Sequence, residues 1–170
     1  AECISNLITI NHHTNTPYCE NFDGYLDNTI PNEWKVVNSR PNSGFPKVET
    51  INGERVFTFY PSSGDNYDMI LFPPLSYGDS LNGKYVHLKM EVDNYSRSSF
   101  EIGALPDTND SRSFVPMATI HPTANNTIQE FVVRLSGYNG TSNRLAIRAS
   151  VTSGTHWFRT DEFSITNTPY

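Results

Sequence analysis

The chain has 170 residues, enough for one domain with its own core and too few for two. Its 12 Lys and Arg against 18 Asp and Glu leave a formal charge of −6, a field that does not draw in nucleic acid or anionic lipid. At 36% hydrophobic and 12% aromatic the chain is too apolar for disorder, no apolar run approaches the ~18 residues of a membrane-spanning helix, and its wealth of Asn, Ser and Thr excludes coiled coils and helical bundles.

Residues 1–18 read as an N-terminal arm. The opening AECISNLITI has neither the basic region nor the long apolar stretch of a secretory peptide, which decides little if the chain is already mature. Cys3 and Cys19 have no second Cys pair or paired His to make a zinc site. They are either two buried thiols or a disulfide tethering the arm, and the disulfide is the expectation carried forward.

Strands are expected at 34–38, 55–60 and 68–72, and most clearly at 85–93. There Val86, Leu88, Met90 and Val92 alternate with Tyr85, His87, Lys89, Glu91 and Asp93, as in a half-buried strand. The same period of two recurs in Phe100, Ile102 and Ala104, and 113–120 follows as a further strand. It returns in Phe131, Val133 and Leu135, in Leu145, Ile147 and Ala149, and in Phe163 and Ile165 within a final strand at 158–166. Turn signals separate these runs at Asn52-Gly53, Asn82-Gly83, Pro106-Asp107, Asn139-Gly140 and Ser153-Gly154. The pattern predicts one all-β domain over 1–170, a two-sheet antiparallel β-sandwich of jelly-roll type with no helix beyond a single turn. Its expected core is Trp34, Phe57, Phe59, Leu71, Val86, Leu88, Met90, Phe100, Phe131, Val133, Leu145, Ile147 and Phe163.

Catalytic chemistry finds little support. Glu91 and Asp93 fill the first two places of the E-x-D-x-x-E pattern of sandwich glucanases, but Ser96 stands in the third, so the second glutamate of an acid–nucleophile pair is missing. G-x-S-x-G is absent, and the five histidines lack the H-x-x-x-H spacing that puts two imidazoles on one metal. No catalytic residue is assigned. A β-sandwich glycoside hydrolase and a structural spacer domain stay as alternatives to a binding module.

Several phrases then gain meaning from their order. Cys19-Glu20-Asn21-Phe22-Asp23 is followed by Pro31-Asn32-Glu33-Trp34-Lys35-Val36-Val37 and by Gly64-Asp65-Asn66-Tyr67-Asp68-Met69-Ile70-Leu71-Phe72-Pro73-Pro74-Leu75. Phe100-Glu101-Ile102-Gly103-Ala104, Ser113-Phe114-Val115-Pro116 and Arg144-Leu145-Ala146-Ile147-Arg148-Ala149 come later. This succession resembles the cleaved-adhesin or MAM-like jelly-roll domains of bacterial secreted and surface proteins. Asp161-Glu162-Phe163 departs from the family's late Asp-Asp-Val. The resemblance implies a concanavalin-like or galactose-binding-like architecture in a secreted or cell-surface protein, with neighbouring domains in a larger chain. It also implies a non-catalytic module that binds a glycan or a host or surface protein, with neither nucleic acid nor membrane insertion. A structural Ca²⁺ is implied at Glu20, Asp23 and Asp161, with backbone carbonyls near Gly44 or Asp65 completing the oxygens; turn-capping and ion pairing are the competing roles for these carboxylates.

For the ligand itself, aromatic rings matter because a sugar lays its apolar face on them. Tyr85, His87, Lys89 and Glu91 share one strand's polar face, whereas Tyr95 and Tyr138 lie in polar loops. These six are the candidate binding residues, against the plainer reading of a solvated face.

Overall fold

The computed structural model describes residues 17–38, 42–76 and 78–169. In chain order its strands are β1 (Tyr18–Glu20), β2 (Lys35–Val36), β3 (Lys47–Ile51), β4 (Glu54–Phe59), β5 (Asp68–Leu71), β6 (Tyr85–Val92), β7 (Ser98–Ala104), β8 (Val115–Ile120), β9 (Gln129–Arg134), β10 (Leu145–Val151) and β11 (Phe158–Thr166). They form two antiparallel sheets. One runs β3-β4-β11-β6-β9 with β1 also pairing β11, and the other runs β2-β5-β10-β7-β8. The helical content among the described residues is two three-residue 3-10 turns, at Tyr95–Arg97 and Ser111–Ser113. The expected sandwich is the observed one.

Local chemistry explains the strand ends. Asn52 and Gly53 both hold positive φ, 54° and 91°, which gives the β3–β4 hairpin a turn whose twist matches its strands. β3 was not among the expected strands, and Tyr18, assigned above to the arm, opens β1 opposite Ile165. Cys19 is disulfide-bonded. Its expected partner, Cys3, lies outside the described residues.

Between the sheets lies an aromatic core. Phe72 and Phe163 stack with centroids 4.5 Å apart, and the Trp34 ring lies 4.3 Å from that of Phe72. Trp34 Nε1 donates to the Tyr18 hydroxyl at 2.8 Å, so the one polar atom of the buried indole has a partner. The expected core residues lie here with three differences. Phe131 and Val133 are only half-buried, because β9 is an edge strand with a neighbour on one side. Leu71 packs instead with Met69, Leu105, Phe114 and Ala146 in a small second cluster. The segment between β7 and β8 supplies Leu105 and Phe114 to it, which is why β5 is buried throughout its length.

Candidate binding face on the six-stranded sheet

Alternation along β6 turns Val86, Leu88, Met90 and Val92 into the core and leaves Tyr85, His87, Lys89 and Glu91 on the opposite face of the sheet. A strict period in β11 would put Phe163 on the same side as Arg159. The register instead shifts between Thr160 and Glu162, so Arg159 stands beside Glu91 and Glu162 beside Lys89, while Phe163 turns inward. The bulge thus builds an outer face that periodicity alone would miss.

A cleft of about 350 Å³ opens on this face. It is lined by His87, Leu88 and Lys89 of β6, by Glu130, Phe131 and Val132 of β9, and by Glu162 of β11. Lys89 Nζ donates to Glu162 Oε2 at 2.8 Å, and this hydrogen bond, helped by the carboxylate's charge, raises the lysine's pKa. His87 is buried, with Nε2 3.1 Å from Thr166 Oγ1. Desolvation lowers its pKa, partly offset by the Thr168 backbone and Glu162. Val132 is 54% exposed and adds an apolar wall. The cleft therefore offers a donor, acceptors and an apolar surface together, as small-ligand sites do. Two of the six expected binding residues line it, His87 and Lys89, and Tyr85 and Glu91 flank them on the same strand. Glu130, Val132 and Glu162 come from other strands and were not foreseen. The β9 alternation marked Val132 as outward, but nothing local marked its partner.

Tyr95 and Tyr138 do not join them. Tyr95 is exposed, in the turn after the Val92 end of β6, where its N–H donates to Asn125 Oδ1 at 2.8 Å. Tyr138 stands beside Asn82, before the Tyr85 end, and the two ends of β6 are ~25 Å apart. Tyr138 is also buried rather than a rim contact. Its hydroxyl accepts from the Ser142 N–H at 3.2 Å and its ring closes the core beneath the 136–144 loop.

The expected calcium residues have other engagements. Glu20 is 3% exposed and accepts from the backbone N–H groups of Asn21 and Phe22 and from the Tyr25 hydroxyl, each at 3.1 Å. Asp23 is exposed and accepts from Asn21 Nδ2 at 2.9 Å. Asp161 sits at the bulge with its carboxyl raised by burial; nearby Lys89 pulls it down, and Glu54, Glu162 and Asp23 push it up. Among the described residues no three His, Cys, Asp or Glu side chains are grouped to hold a metal ion.

No family model matches the chain, and no curated protein matches its sequence. Solved structures do match. The K1 cleaved adhesin domain of Lys-gingipain from Porphyromonas gingivalis W83 superposes with a TM-score of 0.61 at 18% identity, over 91% of this chain and 99% of that one. The fold is that of the cleaved-adhesin domains. The K3 cleaved adhesin domain of Lys-gingipain gives 0.60 at 17% identity, over 87% and 97%. A family 29 carbohydrate-binding module gives 0.52 at 10%, over 82% of each chain. Identities this low transfer the architecture, while the use made of a binding face on it is decided by its side chains.

Proposed function

We propose that this chain is a non-catalytic binding module whose ligand is a neutral glycan, taken up on the outer face of the six-stranded sheet. The observation that carries this reading is the cleft lined by His87, Lys89, Glu130, Val132 and Glu162, which sets hydrogen-bonding groups of both kinds beside apolar surface. Its lysine is already matched by Glu162 and Glu130 stands exposed, so the cleft favours hydroxyls over sulfate or uronate groups. The jelly-roll fold shared with a xylan-binding module and a family 29 carbohydrate-binding module supports it, and the Cys19 disulfide fits a secreted or cell-surface setting. Against hydrolysis, the glucanase-like pattern that begins at Glu91 and Asp93 has Ser96 where its second glutamate would stand. A protein ligand is the second reading, favoured by Ile128 and Val132, 60% and 54% exposed in and just before edge strand β9.

A polysaccharide array run beside a hydrolysis assay tests the proposal. Binding without turnover is expected, weakened in Lys89→Ala and Glu162→Gln. Turnover abolished by Glu91→Gln would replace the module with an enzyme, and silence in both assays would favour protein adhesion.

A further inference from the structure

The outer face carries a second cluster beyond the cleft, towards the Val92 end of β6. Thr58 of β4, Arg159 of β11 and Glu91 of β6 lie on one rung of the sheet. On the next, the Asp93 N–H donates to the Trp157 carbonyl at 3.4 Å, and His156 Nδ1 lies 3.1 Å from Asp93 Oδ1 without the geometry of a hydrogen bond. The Arg159 guanidinium lies over the Trp157 ring, 3.8 Å from its centroid.

Four buried polar atoms of this cluster have no hydrogen-bond partner among the described residues: Thr58 Oγ1, Asp93 Oδ1, His156 Nε2 and Arg159 Nε. Thr58 is only 2% exposed. Buried polar atoms are nearly always paired, so four orphans on β4, on β11 and on the residues just outside the ends of β6 and β11 require an explanation that one misfitted side chain would not. We propose that the cluster is a second ligand subsite, closed by Arg159 in the free protein, which takes a neutral polyhydroxylated ring of the pyranose type. This rests on the glycan-binding reading above.

The orphans define the ligand's chemistry. Arg159 Nε only donates, Asp93 Oδ1 offers acceptor lone pairs, and the Thr58 hydroxyl and His156 Nε2 serve either way. Vicinal hydroxyls, each able to donate and accept, satisfy such a mixture. An anion would face Glu91 and Asp93, and a cation would face Arg159. The indole supplies a flat apolar surface for the C–H face of the ring. Two weak contacts hold Arg159 over it, a cation–π contact and a partly solvated ion pair with Glu91, so the side chain can swing aside and uncover both the indole and the buried atoms.

The test titrates xylohexaose and cellohexaose into the protein while acrylamide quenching of tryptophan fluorescence is followed. Trp34 is 5% exposed in the core, so changes in quenching report Trp157. Bound hexaose should shield Trp157, and Arg159→Ala should increase quenching in the free protein. Thr58→Val should weaken binding about 5-fold, roughly the worth of one neutral hydrogen bond, while leaving the melting temperature unchanged or higher, because it removes an unsatisfied buried hydroxyl. Binding that is lost in Lys89→Ala but untouched in Thr58→Val, with Trp157 unshielded, would overturn the subsite and leave the cleft as the glycan site. Failure of both hexaoses to bind overturns the subsite as well, and the polysaccharide array then decides the broader reading independently.

Discussion

Gly103 offers a sharp test of how β7 meets β8. A Cβ at this position would lie 2.1 Å from the Val115 carbonyl oxygen and 2.9 Å from Pro116 Cα, where ordinary van der Waals contact begins at 3.4 Å. Both obstacles are backbone, so no side chain can turn away, and β8 would have to retreat by more than an ångström at the point where the register already shifts between Ile102 and Gly103. Overpacking costs ~1–3 kcal/mol, and opening two ladder hydrogen bonds adds ~1 kcal/mol each, so Gly103→Ala should lose ~3–5 kcal/mol. Gly83 is the internal control. It has φ +85° with open space around its missing Cβ, so Gly83→Ala carries only the left-handed backbone penalty of ~1–2 kcal/mol. In urea denaturation the Gly103→Ala midpoint should fall well below that of Gly83→Ala at similar m, and its melting temperature should drop by ~6–20 °C. Equal losses in the two variants would refute the close approach of β7 to β8.

His87 has its pKa lowered by burial, so the unfolded chain binds its proton more readily than the folded one, and stability should fall as the pH drops below ~6.5 towards the folded value. Urea midpoints at pH 7.5 and 5.5 should show this slope in the wild type and less of it in His87→Gln; identical slopes would remove His87 as the cause. Asp161 has the opposite sense: its raised pKa favours the protonated folded form, so its contribution to stability declines as the pH rises through that value. Asp161→Asn is therefore expected to melt no lower than the wild type in excess chelator. If calcium joins Asp23 and Asp161, millimolar calcium raises the melting temperature of the wild type alone, and equal melting temperatures with calcium and with chelator withdraw the site. Thiol titration of the unfolded, unreduced chain should find no free thiol, and reduction should cost ~3 kcal/mol for a loop of this size; two free thiols would separate Cys3 from Cys19.

Strand identity was legible in the sequence because it is a local property. In 85–93 the period of two divides Val86, Leu88, Met90 and Val92 from Tyr85, His87, Lys89 and Glu91 whichever strand lies alongside, and Asn52-Gly53 fixes its hairpin through the backbone freedom of two residues. The ordered phrases from Glu20 to Ala149 likewise pointed to the architecture that the two sheets display. Partnership between strands is not local. That β11 runs between β4 and β6 follows from burying Phe158, Phe163 and Ile165 against both sheets, and only this placement brings Arg159 between Thr58 and Glu91. The bulge at Asp161 reverses the alternation within a single strand and sets Glu162 beside Lys89. Tyr138, polar in its sequence surroundings, is drawn inward by a hydrogen bond to Ser142 and by the core beneath its loop. A one-dimensional pattern records which residues prefer burial and which prefer water; which of them meet across a sheet is decided when the whole chain collapses around one core, and the cleft and the orphaned polar atoms belong to that second decision.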